Sequence, residues 1–300
     1  MKAAVIYEFG GPEVLKYADY PDPVVGVGEV LVRVAAASIN PIDTFERAGK
    51  NWGPIQFPVV LGWDVAGSVL ALGPGVTGFS IGDRVLAWAD HTYAELCAVK
   101  AELLAKVPEG LDPVAAAALP LVATTGNQLI SVAAETKAGQ TVLVSGAFGG
   151  VGRSAVFSAK DRGARVIAGV LKHQLEAAKS LGAHELLPLD DESALNRLAP
   201  VDVVANAVRG TTAERLLGMV KPGGVFASVT GVPSNAKDFS SIRTLAFKSK
   251  QDATALSYMA AAVAAGKLVI PIDRRLPLKD AAAGHAAVEK GGIGKVVLLP

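Results

Sequence analysis

A five-residue apolar segment, Thr141-Val142-Leu143-Val144-Ser145, runs straight into Gly146-Ala147-Phe148-Gly149-Gly150-Val151-Gly152 and then into a helical run. Read from Ala147, the turn is A-x-G-x-x-G, the dinucleotide fingerprint with Ala in its first place. A small first residue permits the tight turn, Gly149 lets the backbone approach a pyrophosphate, and Gly152 lets the helix pack close to the strand. The helix N-terminus then offers free N–H groups and a partial positive charge to phosphates. Glycine-rich strand ends also serve as plain tight turns, so the motif counts only in context. Here strand, turn, helix and second strand, Arg165–Val170, all fall where the fingerprint requires them. No Gly-Lys-Ser/Thr follows, which excludes a Walker-type phosphate loop.

The chain around this turn alternates strand and helix. Strand Arg165–Val170 leads to helix Gln174–Leu181, strand Val201–Ala205 to helix Thr211–Met219, and a further strand, Val225–Thr230, follows Pro222-Gly223-Gly224. This alternation predicts an α/β fold with a doubly wound parallel sheet. The first 120 or so residues differ, with Val/Ile/Leu-rich segments punctuated by Gly and Pro: Ala3–Tyr7, Val30–Ala36, Asp64–Leu72, Arg84–Trp88 and Ala94–Val99. They predict a β-rich, partly closed barrel. Residues 237–250 are polar and carry no clear assignment. Asp252–Ala265 reads as an Ala-rich helix ended by Gly266, after which Leu268–Ile270 and Lys295–Leu299 are strand-like. The simplest division is a β-rich domain of residues 1–121 with 267–300, and a dinucleotide-binding domain of residues 122–266 between them.

The 51% hydrophobic and 19% charged content suits burial rather than disorder. With 29 basic against 28 acidic residues and no Lys/Arg run, nucleic acid is not expected as a partner. No apolar leader is evident, and the Ala-rich stretch Val114 to Ala123 is interrupted by Pro120 and too short to span a bilayer. A cytoplasmic protein without membrane association is expected. The single Cys97 can make no intramolecular disulfide and no cysteine-rich metal site, and reads as a small buried residue.

The end of the second strand bears on the choice of dinucleotide. An NAD site places Asp or Glu about 20 residues beyond the glycines to bond the ribose 2′-hydroxyl. Gly169-Val170-Leu171-Lys172-His173 has no acid there. Lys172 is either a partner for a 2′-phosphate or a solvated lysine opening a surface helix, and the missing acid favours NADPH over NADH.

With these residues in place, the chain resembles the medium-chain dehydrogenase/reductase superfamily, and within it the zinc-free quinone oxidoreductase and enone reductase branch. The landmarks are Ala37-Ser38-Ile39-Asn40-Pro41-Ile42-Asp43, Leu61-Gly62-Trp63-Asp64-Val65-Ala66-Gly67, Ile81-Gly82-Asp83-Arg84-Val85, Lys221-Pro222-Gly223-Gly224 and Gly294-Lys295-Val296-Val297-Leu298. The resemblance implies a GroES-like β-rich domain beside a Rossmann domain. It also implies that Asn40 faces the nicotinamide or substrate, that Thr125 approaches the nicotinamide, that Ala207-Val208 and Thr230-Gly231 line the cofactor cleft, and that Lys295 reaches the cofactor from the returning tail. Zinc enzymes of the superfamily use a Cys and a His-Glu pair in the first domain, where this chain has Asn40 and Trp63-Asp64. An indole cannot replace imidazole as a ligand, so no zinc is expected. The segment between Gly231 and Asp252 is reduced or diverged, in a neighbourhood that contributes to the dimer edge of relatives, so a homodimer is left open.

Several of these residues have plainer roles open to them. Asn40 precedes Pro41 and suits a turn, while Asp43 and Asp64 suit helix capping or ion pairing better than acid work. Trp52 and Trp63 either shape an apolar substrate pocket or fill the core. Tyr7 and Tyr93 are potential proton sources that sequence alone cannot place. Without zinc, an acceptor that takes hydride easily is expected, namely a quinone or an α,β-unsaturated carbonyl. Competing readings are a zinc-free alcohol or aldehyde dehydrogenase and a non-catalytic NADPH-binding sensor or structural protein.

Overall fold

The computed structural model describes residues 1–50, 56–292 and 294–300. Trp52 therefore lies outside the described residues. The chain divides into two compact units, Met1–Leu121 with Gln251–Pro300, and Val122–Lys250.

The first unit begins with strands β1 (Lys2–Ile6), β2 (Lys16–Asp19), β3 (Glu29–Ile39), β4 (Val59–Val60), β5 (Asp64–Leu72), β6 (Arg84–Trp88), β7 (Leu96–Lys100) and β8 (Leu104–Lys106). Helix α1 (Pro41–Arg47) follows β3, and α2 (Pro113–Ala117) follows β8. Strand β3 shows how the sequence directs its faces: Val30, Val32 and Val34 point into the core while Arg33 is exposed. Over Ala36–Ile39 the alternation gives way, and polar Ser38 is buried at the strand end. β3 pairs antiparallel with β5 and β7, β5 with β6, and β6 with β8. β1 forms a separate three-stranded sheet between β2 and β4.

The chain enters the second unit along α3 (Pro120–Gln128). Six strands follow: β9 (Thr141–Ser145), β10 (Arg165–Val170), β11 (Glu185–Pro188), β12 (Val201–Asn206), β13 (Val220–Ser228) and β14 (Arg243–Ala246). All pair in parallel, in the order β11-β10-β9-β12-β13-β14. The direction of winding reverses between β9 and β12, which opens a crevice at their carboxyl ends. Strand β9 is buried on both faces: Val142 and Val144 join one core with Val156 and Ala159 of α4 (Gly150–Asp161), while Leu143 joins another with Phe226, Leu216 and Leu217. Helices α5 (Leu175–Ala178), α6 (Glu192–Arg197) and α7 (Thr211–Leu217) complete the connections.

After the second unit the chain forms α8 (Ala253–Ala264), capped by the Asp252 carboxylate accepting from the Ala255 N–H at 2.8 Å. Strand β15 (Ile272–Pro277), helix α9 (Ala281–Lys290) and strand β16 (Lys295–Leu299) follow. β15 and β16 are parallel, and β16 joins β3 antiparallel, extending the large sheet to the order β15-β16-β3-β5-β6-β8.

Some expectations from sequence are corrected here. Helix α8, assigned on spacing to the dinucleotide-binding domain, packs on β8, so the division falls after Lys250 rather than after Gly266. Leu268 and Ile270 are buried without belonging to a strand, because their apolar character serves packing rather than pairing. The strand is instead the polar Ile272–Pro277, at a sheet edge where four of its six residues are exposed and none is buried. Strand β13 starts five residues early, since Lys221-Pro222-Gly223-Gly224 forms an irregularity inside it, with Gly223 at φ +78°. The polar stretch 237–250 contains the edge strand β14.

Candidate functional site

In the Val122–Lys250 unit the glycine turn joins β9 to α4. Gly146 has φ +62°, a backbone conformation that suits glycine. The faces of Gly149 and Gly152 differ sharply. A Cβ on Gly152 would lie 2.1 Å from the Gly146 carbonyl oxygen and 2.6 Å from the Ala147 Cα, so helix and turn touch there. A Cβ on Gly149 would meet nothing nearer than 3.5 Å, so that backbone is open to a ligand. Gly149 is the N-cap of α4 and supplies no side-chain cap, which leaves the amides at the start of a 12-residue helix available. Gly150 faces Val122, with 3.1 Å between its would-be Cβ and that side chain. Arg153 holds the turn from behind: its Nε donates to the Phe148 carbonyl at 2.9 Å, and its guanidinium sits 4.1 Å from the Phe148 ring centroid.

A buried polar network ties the ends of β9, β12 and β13 together. Ser145 Oγ donates to Asn206 Oδ1 at 2.7 Å and accepts from the Ala207 N–H at 2.9 Å. Asn206 Nδ2 lies within hydrogen-bond distance of the Val208 carbonyl at 2.8 Å, Ser228 Oγ at 2.9 Å and Thr230 Oγ1 at 3.2 Å. The Thr230 hydroxyl donates to the Val208 carbonyl at 2.7 Å. Ala207, Val208 and Thr230 are thereby gathered at one sheet end, where Val208 and Ala207 also border Gly146. Gly231 follows with φ +107°. Thr125 is buried on α3, its Oγ1 paired with Ser249 Oγ at 2.8 Å.

Lys172 stands at the end of β10, exposed, and is not alone. Its N–H donates to Asp190 Oδ1 at 2.8 Å, and its Nζ lies 3.9 Å from Asp191 Oδ2. The sequence spacing shows no acid after the second strand, yet the parallel pairing of β10 with β11 delivers two from the next loop. Asp191 is held by Ser193 and by the Ala194 N–H, and these bonds keep its carboxyl below the ordinary range.

The first unit contains a second polar constellation, at one end of β16, β3 and β5. Lys295 Nζ donates to Asn40 Oδ1 at 2.7 Å and to Asp64 Oδ2 at 3.1 Å. The same Asp64 oxygen accepts from Ser38 Oγ at 2.6 Å and Asn40 Nδ2 at 2.8 Å, while Oδ1 accepts the Leu121 N–H at 2.7 Å. Asp64 is thus an ion-pair hub with four donors. Nothing in the spacing of Ser38, Asn40, Asp64 and Lys295 announces their meeting, because it depends on the register of three strands. Trp63 stacks on Trp88 at 5.8 Å between centroids and donates its Nε1–H to Glu46 Oε2 at 2.8 Å.

The remaining titratable candidates are core groups. Asp43 accepts the Asn40 N–H at 2.8 Å at the start of α1 and also the Tyr93 hydroxyl. Burial pushes its carboxyl up to about 8, and one of its oxygens has no partner. Tyr93 is fully buried, its hydroxyl pushed well above 10 by burial and by Asp43. Tyr7 is on the surface. His285, buried beside Arg47, is pushed down to about 3 by burial and then by the guanidinium. Burial raises the Cys97 thiol to about 12, which suits a packed and unreactive side chain.

Among the described residues no group of three or more His, Cys, Asp or Glu side chains is placed to hold a metal ion, and no helix is long and apolar enough to cross a membrane.

Two family models match the chain, an alcohol dehydrogenase GroES-like domain over residues 26–109 and a zinc-binding dehydrogenase over residues 181–298. A quinone oxidoreductase of Pongo abelii is 31% identical, over 100% of this chain and 98% of that protein. A mycobacterial protein whose structure is complexed with NADPH superposes with a TM-score of 0.87 at 31% identity, over 100% of both chains. An NAD-dependent alcohol dehydrogenase superposes with a TM-score of 0.90 at 31% identity, also over 100% of both. The architecture is that of a GroES-like domain combined with a Rossmann sheet, and the chain belongs to the quinone oxidoreductase branch of the medium-chain dehydrogenase/reductase superfamily.

Proposed function

We propose that this protein is an NADPH-dependent oxidoreductase that passes hydride to a quinone or an α,β-unsaturated carbonyl without zinc. The observation that carries the reading is the glycine turn, closed by packing at Gly152 and open at Gly149, in a chain similar along its whole length to a quinone oxidoreductase. The residues that would hold the dinucleotide are the backbone of Gly146–Gly152 for the pyrophosphate, Lys172 at the ribose end, and Ala207, Val208, Thr230 and Gly231 along the crevice. Thr125 would stand at the nicotinamide end, while for Asn40 and Lys295 a role toward the nicotinamide or the substrate is what the family resemblance implies. The bound dinucleotide supplies hydride, and the protein supplies position and a polar environment.

A quinone contains the same conjugated C=C–C=O unit as an enone, so one site serves both acceptors. Preference for NADPH is supported by the exposed Lys172 ammonium and by the likeness to the NADPH-complexed mycobacterial protein. The acids beside Lys172 and the likeness to an NAD-dependent alcohol dehydrogenase favour a second reading, a zinc-free alcohol dehydrogenase using NAD. A cytoplasmic location and a homodimeric state complete the proposal.

The test mixes purified protein with NADPH or NADH and a panel of a quinone, an enone and an aldehyde, following absorbance of the reduced cofactor. The expected result is oxidation of NADPH by the quinone or the enone. Tight NADPH binding with no acceptor reduced contradicts the reading, and reversible alcohol oxidation with NAD establishes the second one.

A further inference from the structure

The sheet of the Val122–Lys250 unit has a second end. Its crevice lies at the carboxyl ends of the strands, whereas at the amino ends β9, β10 and β11 start side by side, with Arg165 in register with Thr141 and Ile167 with Glu185. Side chains two residues apart share a face. Thr141, Arg165 and Glu185 therefore stand on the same face as Leu143, Ile167 and Leu187, which belong to one buried core. The chain leaving α6, Arg197-Leu198-Ala199-Pro200, crosses this end before entering β12, and Lys221-Pro222 meets it near the start of β13. Together they line a cavity of about 690 Å³, within the size range of small-molecule sites.

Charge and shape select what fits there. Arg165 Nη2 pairs with Glu185 Oε2 at 3.2 Å, and Lys221 Nζ pairs with Asp202 Oδ1 at 2.8 Å. The other Asp202 oxygen accepts the Thr141 N–H at 2.7 Å, and the Lys221 ammonium and that amide hold its carboxyl below the ordinary range. Two of the three cations thus have their acids. Arg197, exposed in the last turn of α6, has neither an ion pair nor a side-chain hydrogen bond among the described residues. Its guanidinium is a planar fork that matches a carboxylate with two parallel N–H donors. A phosphomonoester would bring a second negative charge, for which no unpaired cation remains at this cavity. The rest of the lining is largely apolar, from Ile167, Leu198 and Ala199 to the rings of Pro200 and Pro222. A bare hydrated ion gains nothing from such walls, whereas a hydrocarbon body does.

We propose that this cavity binds an organic monocarboxylate with a flat apolar body, its acid group held by Arg197 and its body laid against Ile167, Leu198, Pro200 and Pro222. The carboxylate accepts two hydrogen bonds from the guanidinium, and the hydrocarbon leaves water for the aliphatic and proline surface. Arg165 and Lys221 keep their own acids and do not compete for the ligand. The cavity lies at the opposite end of the strands from the glycine turn. It is therefore separate from the dinucleotide crevice, and the proposal stands independently of the reductase reading.

Isothermal titration calorimetry of the full chain with 2-naphthoate tests this. Two comparison ligands divide its features: 2-naphthamide keeps the ring without the charge, and acetate keeps the charge without the ring. Wild type is expected to bind 2-naphthoate with a Kd of about 1 mM or tighter, as ordinary ligand efficiency gives for a molecule of this size. Both comparison ligands should bind at least about tenfold more weakly. Arg197→Gln, a change at an exposed position, is expected to weaken 2-naphthoate at least about tenfold while leaving 2-naphthamide within about twofold of wild type. The proposal is overturned by no saturable binding of 2-naphthoate up to about 10 mM, or by an Arg197→Gln variant that binds it as wild type does. Binding of 2-naphthamide or acetate as tightly as 2-naphthoate overturns it as well.

Discussion

Gly149 and Gly152 lie three residues apart in one turn, and their surroundings predict opposite phenotypes. Gly149→Ala has room, so thermal stability should change by no more than about 0.5 kcal/mol while NADPH affinity falls at least about tenfold, because the new methyl group would stand where the proposed cofactor approaches. Gly152→Ala forces the helix off the turn and should cost roughly 1–3 kcal/mol of stability. Thermal melts and cofactor-fluorescence titrations separate the two. On the proposed reading, with Lys172 at the ribose end, Lys172→Ala should reduce the NADPH-to-NADH affinity ratio about tenfold, and Asp191→Asn should raise it by removing a charge of the same sign as the 2′-phosphate. Unchanged ratios in both variants would remove Lys172 from cofactor selection. The pH dependence of folding has its own residues. The Asp43 carboxyl, raised to about 8 in the folded state, contributes stability that is complete below about 4 and declines as pH rises toward 8. His285, lowered to about 3, contributes stability that is complete above about 6.5 and declines as pH falls. Urea melts of Asp43→Asn at pH 5 and pH 8.5 should show a smaller difference than wild type, since an amide oxygen still accepts from Asn40 and Tyr93 without ionising.

At the scale of elements, the three strand ends fastened by Asn206 form the frame on which the crevice depends. Asn206→Ala leaves Ser145, Ser228 and the Val208 carbonyl short of partners in a buried site and should cost about 1–3 kcal/mol, with weaker cofactor binding as the β12–α7 loop loosens. The network also marks the limit of what the sequence shows. Strand β9, the turn and α4 are legible because a short continuous apolar run, glycine spacing and helix phosphate chemistry all act over neighbouring residues. Asn206 adjoins Ala207, which the family resemblance singles out, but its partners lie 61 and 22 residues away and carry no local sign. Asp190 and Asp191 escape notice for the same reason, reaching Lys172 through strand pairing across 18 or more residues. Edge strands β14 and β15 carry no strand signal in the sequence because strands with so many exposed residues have little apolar periodicity.

For the whole molecule, the glycine turn lies within residues 122–250 and the buried Lys295, Asn40 and Asp64 cluster within the remainder. The cluster joins residues 255 positions apart, so it exists only when the tail has returned to the β3 sheet. NADPH at 100 times its Kd should stabilise the native state by about 2.7 kcal/mol, read as a shift in denaturation midpoint. Prolonged dialysis against a chelator should leave turnover unchanged, and a loss restored by zinc would contradict the proposed zinc-free chemistry. The most direct test of the central claim follows the transferred atom. With NADPH deuterated at nicotinamide C4 on the transferred face and an enone as acceptor, the predicted product carries one deuterium at its β-carbon, with the second hydrogen drawn from water. A saturated product without that deuterium, or recovery of the enone with NADPH unconsumed, would contradict hydride transfer by this protein.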